Sequence, residues 1–163
     1  MLILVEGADG SGKTTLCNVF KTRCYNVIEP VPRQAVNQYG RWLKLALKSI
    51  YKGETYIFDR SFISEIVYRR FDNKPCNILL SEAIDLLKYC KIVYCETKTQ
   101  FDDAMRRGEA NITDRRDAEK IRSIYENVLS FFRQFEKVPI LQYNWRVDDI
   151  ISVVNFIKHY NRR

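Results

Sequence analysis

Residues 7–15 read Gly7-Ala8-Asp9-Gly10-Ser11-Gly12-Lys13-Thr14-Thr15, with an apolar run at 2–5 before them and a helical pattern from Lys13 onward. The spacing is Gly-x-x-x-x-Gly-Lys-Thr, placed between a strand and a helix as an anion-binding loop requires. Gly7, Gly10 and Gly12 permit backbone angles that a side chain forbids, so successive N–H groups turn inward on a phosphate. The helix begun at Lys13 points its positive end at the same anion. Lys13 adds a point charge for the β and γ oxygens, and Thr14 offers a hydroxyl to Mg²⁺. Ser11 and Thr15 complete the set of loop residues expected at the nucleotide. A fortuitous glycine turn does not explain why strand and helix both stand in place. The motif commits the chain to an α/β fold.

The rest of the pattern agrees. Apolar runs of strand length recur at 26–28, 56–58, 91–95 and 139–143. They lack clean alternation, as strands buried on both faces do. Helical patterns lie between them at 13–24, 41–52, 61–71, 81–89, 117–136 and 148–160. Such alternation predicts right-handed crossovers and a parallel sheet covered on both sides. No linker or repeat divides the chain, so residues 1–163 are read as one domain. The polar, arginine-rich segment 106–116 is read as a mobile surface loop.

Composition removes several classes. No run free of Asp, Glu, Lys and Arg exceeds eight residues, whereas a membrane helix needs ~20. The apolar start meets Glu6 too soon for a signal-peptide core. A soluble cytoplasmic protein without a membrane contact is expected. The cysteines number five, with no Cys-x-x-Cys pair, so reduced thiols are expected rather than a disulfide framework. The single histidine, His159, leaves no serine–histidine pair of the usual kind and no multi-histidine metal site. The net charge is +7, and the stretch from Pro30 to Gly53 holds Arg33, Arg41, Lys44, Lys48 and Lys52 without an acid. Arg41, Lys44, Lys48 and Lys52 fall on one helix face, opposite Leu43, Ala46, Leu47 and Ile50. That stripe fits an anionic partner such as nucleic acid, or is a solvated face. A homodimer stays open.

Two strands end in carboxylates. Tyr56-Ile57-Phe58 runs into Asp59-Arg60-Ser61, and Asn26-Val27-Ile28 into Glu29-Pro30. Ligands in open α/β sheets sit at the carboxyl ends of strands. Asp59 there could hold Mg²⁺ or accept a proton from a hydroxyl, unless it merely caps the next helix. Arg60 could clamp a phosphate bidentately. Glu29 is a second acid on the rim, or an ordinary loop carboxylate. Arg106, Arg107, Arg115 and Arg116 crowd one segment. A lid arginine closing on transferred phosphate would stabilise its charge, unless the segment is a solvated basic loop. No Asn-Lys-x-Asp guanine-reading motif occurs, and the chain is small for an ATPase machine. A compact kinase remains.

Taken together, these residues resemble the thymidylate kinases and their kin, the deoxynucleoside kinases, from Glu6 through the last helix. Glu6-Gly7 to Thr15 is similar to that family's phosphate loop, acid at Asp9 included. Glu29-Pro30, Gly40-Arg41-Trp42, Asp59-Arg60-Ser61 and Arg106-Arg107-Gly108 through Asp114-Arg115, followed by the helix bearing Tyr125, look like its further elements. The resemblance implies a nucleoside-monophosphate-kinase-like three-layer α/β sandwich with a five-stranded parallel sheet. It also implies ATP and Mg²⁺ as cofactors. By it, Asp9 bonds the acceptor's sugar 3′-hydroxyl, Arg41 reaches its base and Arg60 its phosphate. Arg107 stacks on adenine, and Arg115 enters as the lid arginine.

The chain departs from the family in one region. Residues 31–40 alone separate Pro30 from Arg41, a stretch much longer in the family, and Asn37 stands where an aromatic ring would stack on the base. Glu29-Pro30-Val31 is also the deoxynucleoside-kinase form, in which the glutamate is base on a 5′-hydroxyl. The expected activity is γ-phosphoryl transfer from ATP to a deoxynucleotide such as dTMP or a related dNMP. A hydroxyl on a hydroxymethylated nucleotide within DNA is the alternative acceptor, and a deoxynucleoside the third. A regulatory nucleotide-binding module without turnover is the rival of another class, and it has no need of Asp59, Arg60 or the lid arginines.

Overall fold

The apolar runs become five strands in the computed structural model, which describes residues 1–23, 25–28, 37–96, 100–108 and 114–158. They are β1 (Leu2–Glu6), β2 (Asn26–Ile28), β3 (Tyr56–Asp59), β4 (Cys90–Cys95) and β5 (Ile140–Tyr143). The helices are α1 (Lys13–Thr22), α2 (Gln38–Lys52), α3 (Phe62–Phe71), α4 (Leu80–Leu87), α5 (Gln100–Arg107), α6 (Arg115–Glu136) and α7 (Ile150–Lys158). Every strand pairing is parallel, in the order β2-β3-β1-β4-β5. The expected α/β sandwich with a five-stranded parallel sheet is what forms.

Strand pleat sorts the apolar residues into two cores. From β1, Leu2 and Leu4 face a core shared with residues of α2, α3, α4 and α6, while Ile3 and Val5 face one shared with α1 and α7. Such a strand is apolar throughout because both faces are covered. Trp42 of α2 is 1% exposed and packs edge-on against Phe58 and Phe62, with ring centroids 4.7 and 5.6 Å away. Lys91, buried in β4, sends its Nζ to the carbonyls of Phe156 (2.8 Å) and Ile157 (3.0 Å) at the end of α7. Burial lowers its pKa to about 8. β1 lies centrally, between β3 and β4. The chain leaves β1 toward β3 and β2 first and crosses to β4 and β5 later. The crevice where that order reverses opens at the carboxyl end of β1, where the phosphate loop stands.

Two expectations are corrected. The buried side of α2 is Gln38, Trp42, Ala46 and Ser49, while Leu47 and Ile50 are 52% and 56% exposed. The helix begins earlier than its apolar spacing implied, because the Asn37 side chain accepts from the Gly40 amide and caps it. Trp42, the largest ring, then decides which face turns inward. Arg41, Lys44, Lys48 and Lys52 are exposed, so the basic stripe runs along a flank, with the Lys48 ammonium 5.9 Å from the Tyr56 ring. The segment read as a loop at 106–116 is helical at both ends, since Arg106 and Arg107 close α5 and Arg115 opens α6. Helix α5 carries Phe101, Ala104 and Met105 at the i, i+3 and i+4 spacing of a helix, but over only eight residues. Residues 109–113 lie outside the described ones. Cys17, Cys76, Cys90 and Cys95 are free thiols. Among the described residues, no helix is long and apolar enough to cross a membrane.

Candidate active site

The phosphate loop needs its glycines for two distinct reasons. Gly7 has φ 143°, and a Cβ on it would lie 2.3 Å from the Cys95 carbonyl oxygen at the end of β4. Gly12 has φ 88° and caps α1, and a Cβ there would lie 2.5 Å from Trp145 Cδ1. Any side chain at either position would collide with its neighbour. Trp145, in the turn after β5, thus lies directly on the loop. It keeps 38% of its surface exposed, and the Arg146 guanidinium stands 4.7 Å from its ring.

Lys13 is 5% exposed and folds over its own loop. Its ammonium donates to the Ala8 carbonyl (2.6 Å) and to Ser11 Oγ (3.3 Å). Burial, with the nearby Arg60 guanidinium, lowers its pKa to about 8, partly opposed by Asp9 and Asp59. A phosphate arriving in the loop would find this charge already desolvated.

Strand β3 delivers the second half of the site. Thr14 Oγ1, on the first turn of α1, donates to Asp59 Oδ2 at 2.9 Å. A hydroxyl and a carboxylate thus meet at one spot, and both line a cleft of about 310 Å³ together with Arg60 and Lys21. Two hard oxygens side by side suit Mg²⁺, which takes its other ligands from water and phosphate. The helix-cap alternative for Asp59 is removed, because Ser61 is the N-cap of α3 and its hydroxyl accepts from the Ile63 amide at 3.2 Å.

Arg60 turns back from the strand end with φ 77°, a left-handed conformation unusual for a side chain of its size. Its amide donates to the Val5 carbonyl at 3.0 Å. The guanidinium pairs with the Asp9 carboxylate, donates to Tyr68 Oη at 3.2 Å and stands 5.4 Å from the Tyr68 ring. Burial works against its charge, yet Tyr125, Tyr68 and Asp9 outweigh that and raise its pKa.

The structure therefore gathers Asp9, Lys13, Thr14, Asp59 and Arg60 on one rim. Other expected residues stand elsewhere. Arg41 is exposed on α2. Arg115 is tied to α5, its guanidinium donating to Asp102 Oδ1 at 2.6 Å and standing 5.2 Å from the Phe101 ring. Glu29 lies outside the described residues, and of Arg107 only the backbone is described. Tyr68 and Trp145 went unread in the sequence. Both are aromatic residues brought to the loop by tertiary contact, with no local motif to mark them.

No family model and no curated protein matches the chain. Its likeness is to solved structures. YorR protein from Bacillus subtilis, in complex with phosphorylated GDP, is 17% identical with a TM-score of 0.73, over 96% of this chain and 93% of that one. A deoxyadenosine kinase from M. mycoides with bound dCTP is 20% identical with a TM-score of 0.60, over 96% of this chain and 98% of its own. The same enzyme with bound dATP is 18% identical, with the same TM-score and coverage. At such identities the likeness speaks for architecture alone. Joined to a phosphate loop with lysine, threonine and a strand-end aspartate in place, it establishes the fold of the P-loop nucleotide and deoxynucleoside kinases.

Proposed function

We propose that the protein is a kinase that transfers the γ-phosphoryl group of ATP, with Mg²⁺, to a deoxynucleotide-type acceptor. The observation that carries this reading is the Asp9–Arg60 pair beside Lys13. A loop that only held ATP would have no use for a second, largely buried cation, the Arg60 guanidinium, on its acceptor side. The acceptor phosphate replaces the Asp9 carboxylate on Arg60, and the freed Asp9 accepts from a sugar hydroxyl. An acceptor oxygen then attacks the γ-phosphorus as the bond to the β-phosphate oxygen breaks, leaving ADP. Lys13 and the loop amides hold the charge spread over the transferred group. Thr14 and, through water, Asp59 would hold Mg²⁺, which would supply positive charge to the donor's phosphates. The half-exposed indole of Trp145 offers the donor's base a flat surface. Kinship of fold with deoxyadenosine kinases and with a protein that binds phosphorylated GDP agrees with an acceptor of nucleoside or nucleotide type.

Turnover of ATP against a panel of dNMPs, deoxynucleosides and oligodeoxynucleotides tests this directly. A dNMP such as dTMP is expected to give the highest kcat/KM. Activity on deoxynucleosides alone would move the acceptor oxygen to a 5′-hydroxyl and the role of base to Glu29. On the metal side, Asp59→Asn is expected to lower kcat by about 10²-fold and to be partly rescued by high Mg²⁺ or by Mn²⁺. Glu29→Gln is expected to show no such metal rescue, and identical metal responses would refute this division of roles.

A second reading keeps the chemistry and makes the acceptor a hydroxyl on a nucleotide within DNA. The exposure of Arg41, Lys44, Lys48 and Lys52 favours it, for a polymer could track that flank from the acceptor side. Phosphorylation of an oligonucleotide would then weaken steeply with salt. Changing Lys44, Lys48 and Lys52 to Gln would flatten the slope by roughly two units, at about 0.7 per contact. With a mononucleotide acceptor the triple change is expected to leave kcat/KM almost unaltered.

A further inference from the structure

Glu6 ends β1 and directly precedes the first glycine of the phosphate loop, and its side chain is wholly buried. A buried carboxylate is expensive unless it is well bonded, and an apolar residue would fill such a position at less cost. Here the carboxylate is held by hydroxyls. Ser61 Oγ donates to Oε1 and Ser64 Oγ donates to Oε2 at 2.6 Å. Tyr125 Oη lies 2.8 Å from Ser64 Oγ and 3.4 Å from Oε2. The Ser64 proton is used on Glu6, so the Tyr125 hydroxyl is the donor into the pair. Burial raises the pKa of Glu6, while both serines and the fields of Arg60 and Lys13 pull it back.

The partners belong to the elements that carry Arg60 and Arg115. Ser61 follows Arg60 in sequence and caps α3. Tyr125 lies on α6, the helix whose first residue is Arg115. The Tyr125 ring stands edge-on to Tyr68 at 6.4 Å, and Tyr68 Oη accepts from Arg60. One carboxylate thus joins the start of the loop, the strand end bearing Arg60 and the helix bearing Arg115.

We propose that Glu6 is a positioning residue that couples occupancy of the phosphate loop to the placement of Arg60 and of helix α6. An anion drawn into the loop engages amides that begin one residue after Glu6 and takes up the charge of Lys13. Any shift of Glu6 is passed on through directional O–H bonds rather than through loose apolar contact, which gives the three elements a shared set of preferred positions. The inference rests on the kinase reading for what Arg60 and Arg115 do, but not for the coupling itself.

The test uses inorganic tripolyphosphate as loop ligand, with binding measured by calorimetry and backbone motion by hydrogen exchange. In the native protein, tripolyphosphate is expected to slow exchange at the start of α3 and along the first half of α6. Tyr125→Phe keeps the ring and removes the hydroxyl. It is expected to bind tripolyphosphate with little change in affinity, to lose the protection of α6 and to lower kcat by about 10-fold at unchanged KM for ATP. Ser64→Ala removes the same link from α3, is expected to show the same pattern, and decides the matter if Tyr125→Phe does not fold. Protection of α6 that survives in either folded variant would overturn the proposal. So would a native protein that binds tripolyphosphate without any change in α6, or variants whose only defect is a lower Tm. Coupling in a native protein that turns over no acceptor would uphold the proposal and sink the kinase reading instead.

Discussion

Lys13→Ala is expected to lower kcat by about 10³-fold or more, a loss of about 4 kcal/mol of transition-state stabilisation. It should do so without harming the fold. The ammonium is buried against the Ala8 carbonyl with its pKa lowered to about 8, so the folded state bears a desolvation cost for this charge. The Ala8 carbonyl also accepts from the Ser11 amide at 3.3 Å and is not orphaned by the substitution. Tm is therefore expected to hold or rise. The same group sets a pH limit on ligand binding. Phosphate binds the charged ammonium, so affinity for metal-free tripolyphosphate is full below pH 8 and falls as pH rises through about 8, where the free protein loses that proton. The fall is expected to vanish in Lys13→Ala. Near-normal turnover by this variant would remove the phosphate loop from the chemistry.

What could be read ahead of the structure follows the range of the interactions involved. The five strands and the phosphate loop are written in short contiguous runs, and the structure places β2 at the expected residues and the other four within one residue at either end. Asp59 and Arg60 could be placed on the carboxyl rim of the sheet because a strand end shows in a contiguous run. The partners of Arg60 were not, since Asp9 and Tyr68 come from β1's loop and from α3. The face of α2 was misjudged because apolar count was weighed over size, and one buried indole outvotes two aliphatic side chains left in water. Helix α5 shows its Phe101, Ala104 and Met105 stripe over only eight residues, too short a run to stand out among charged neighbours. Glu6 stood in plain view before the first glycine, yet nothing local tells that three hydroxyls from distant segments converge on it.

Arg60→Gly separates what this residue costs from what it does. At φ 77° any residue but glycine carries about 1 kcal/mol of backbone strain. The strain is tolerated because the turned-back backbone bonds the Val5 carbonyl while the guanidinium meets Asp9 and Tyr68. Glycine removes the strain and the side chain together, whereas alanine removes only the side chain. Arg60→Gly is therefore expected to melt about 2–4 °C above Arg60→Ala, the shift that about 1 kcal/mol produces in a domain of this size. Both are expected to lose kcat/KM for the acceptor by about 10³-fold, because a desolvated bidentate contact to its phosphate is gone. Binding of ATP should change little, since the loop amides and Lys13 are untouched. Arg60→Lys keeps the charge without the planar fork and is expected to fall between the native protein and the truncated pair. Equal melting temperatures for the glycine and alanine variants would show that the backbone there is unstrained. Full acceptor kinetics in either would take Arg60 out of the site and leave its pairing with Asp9 as a matter of stability alone.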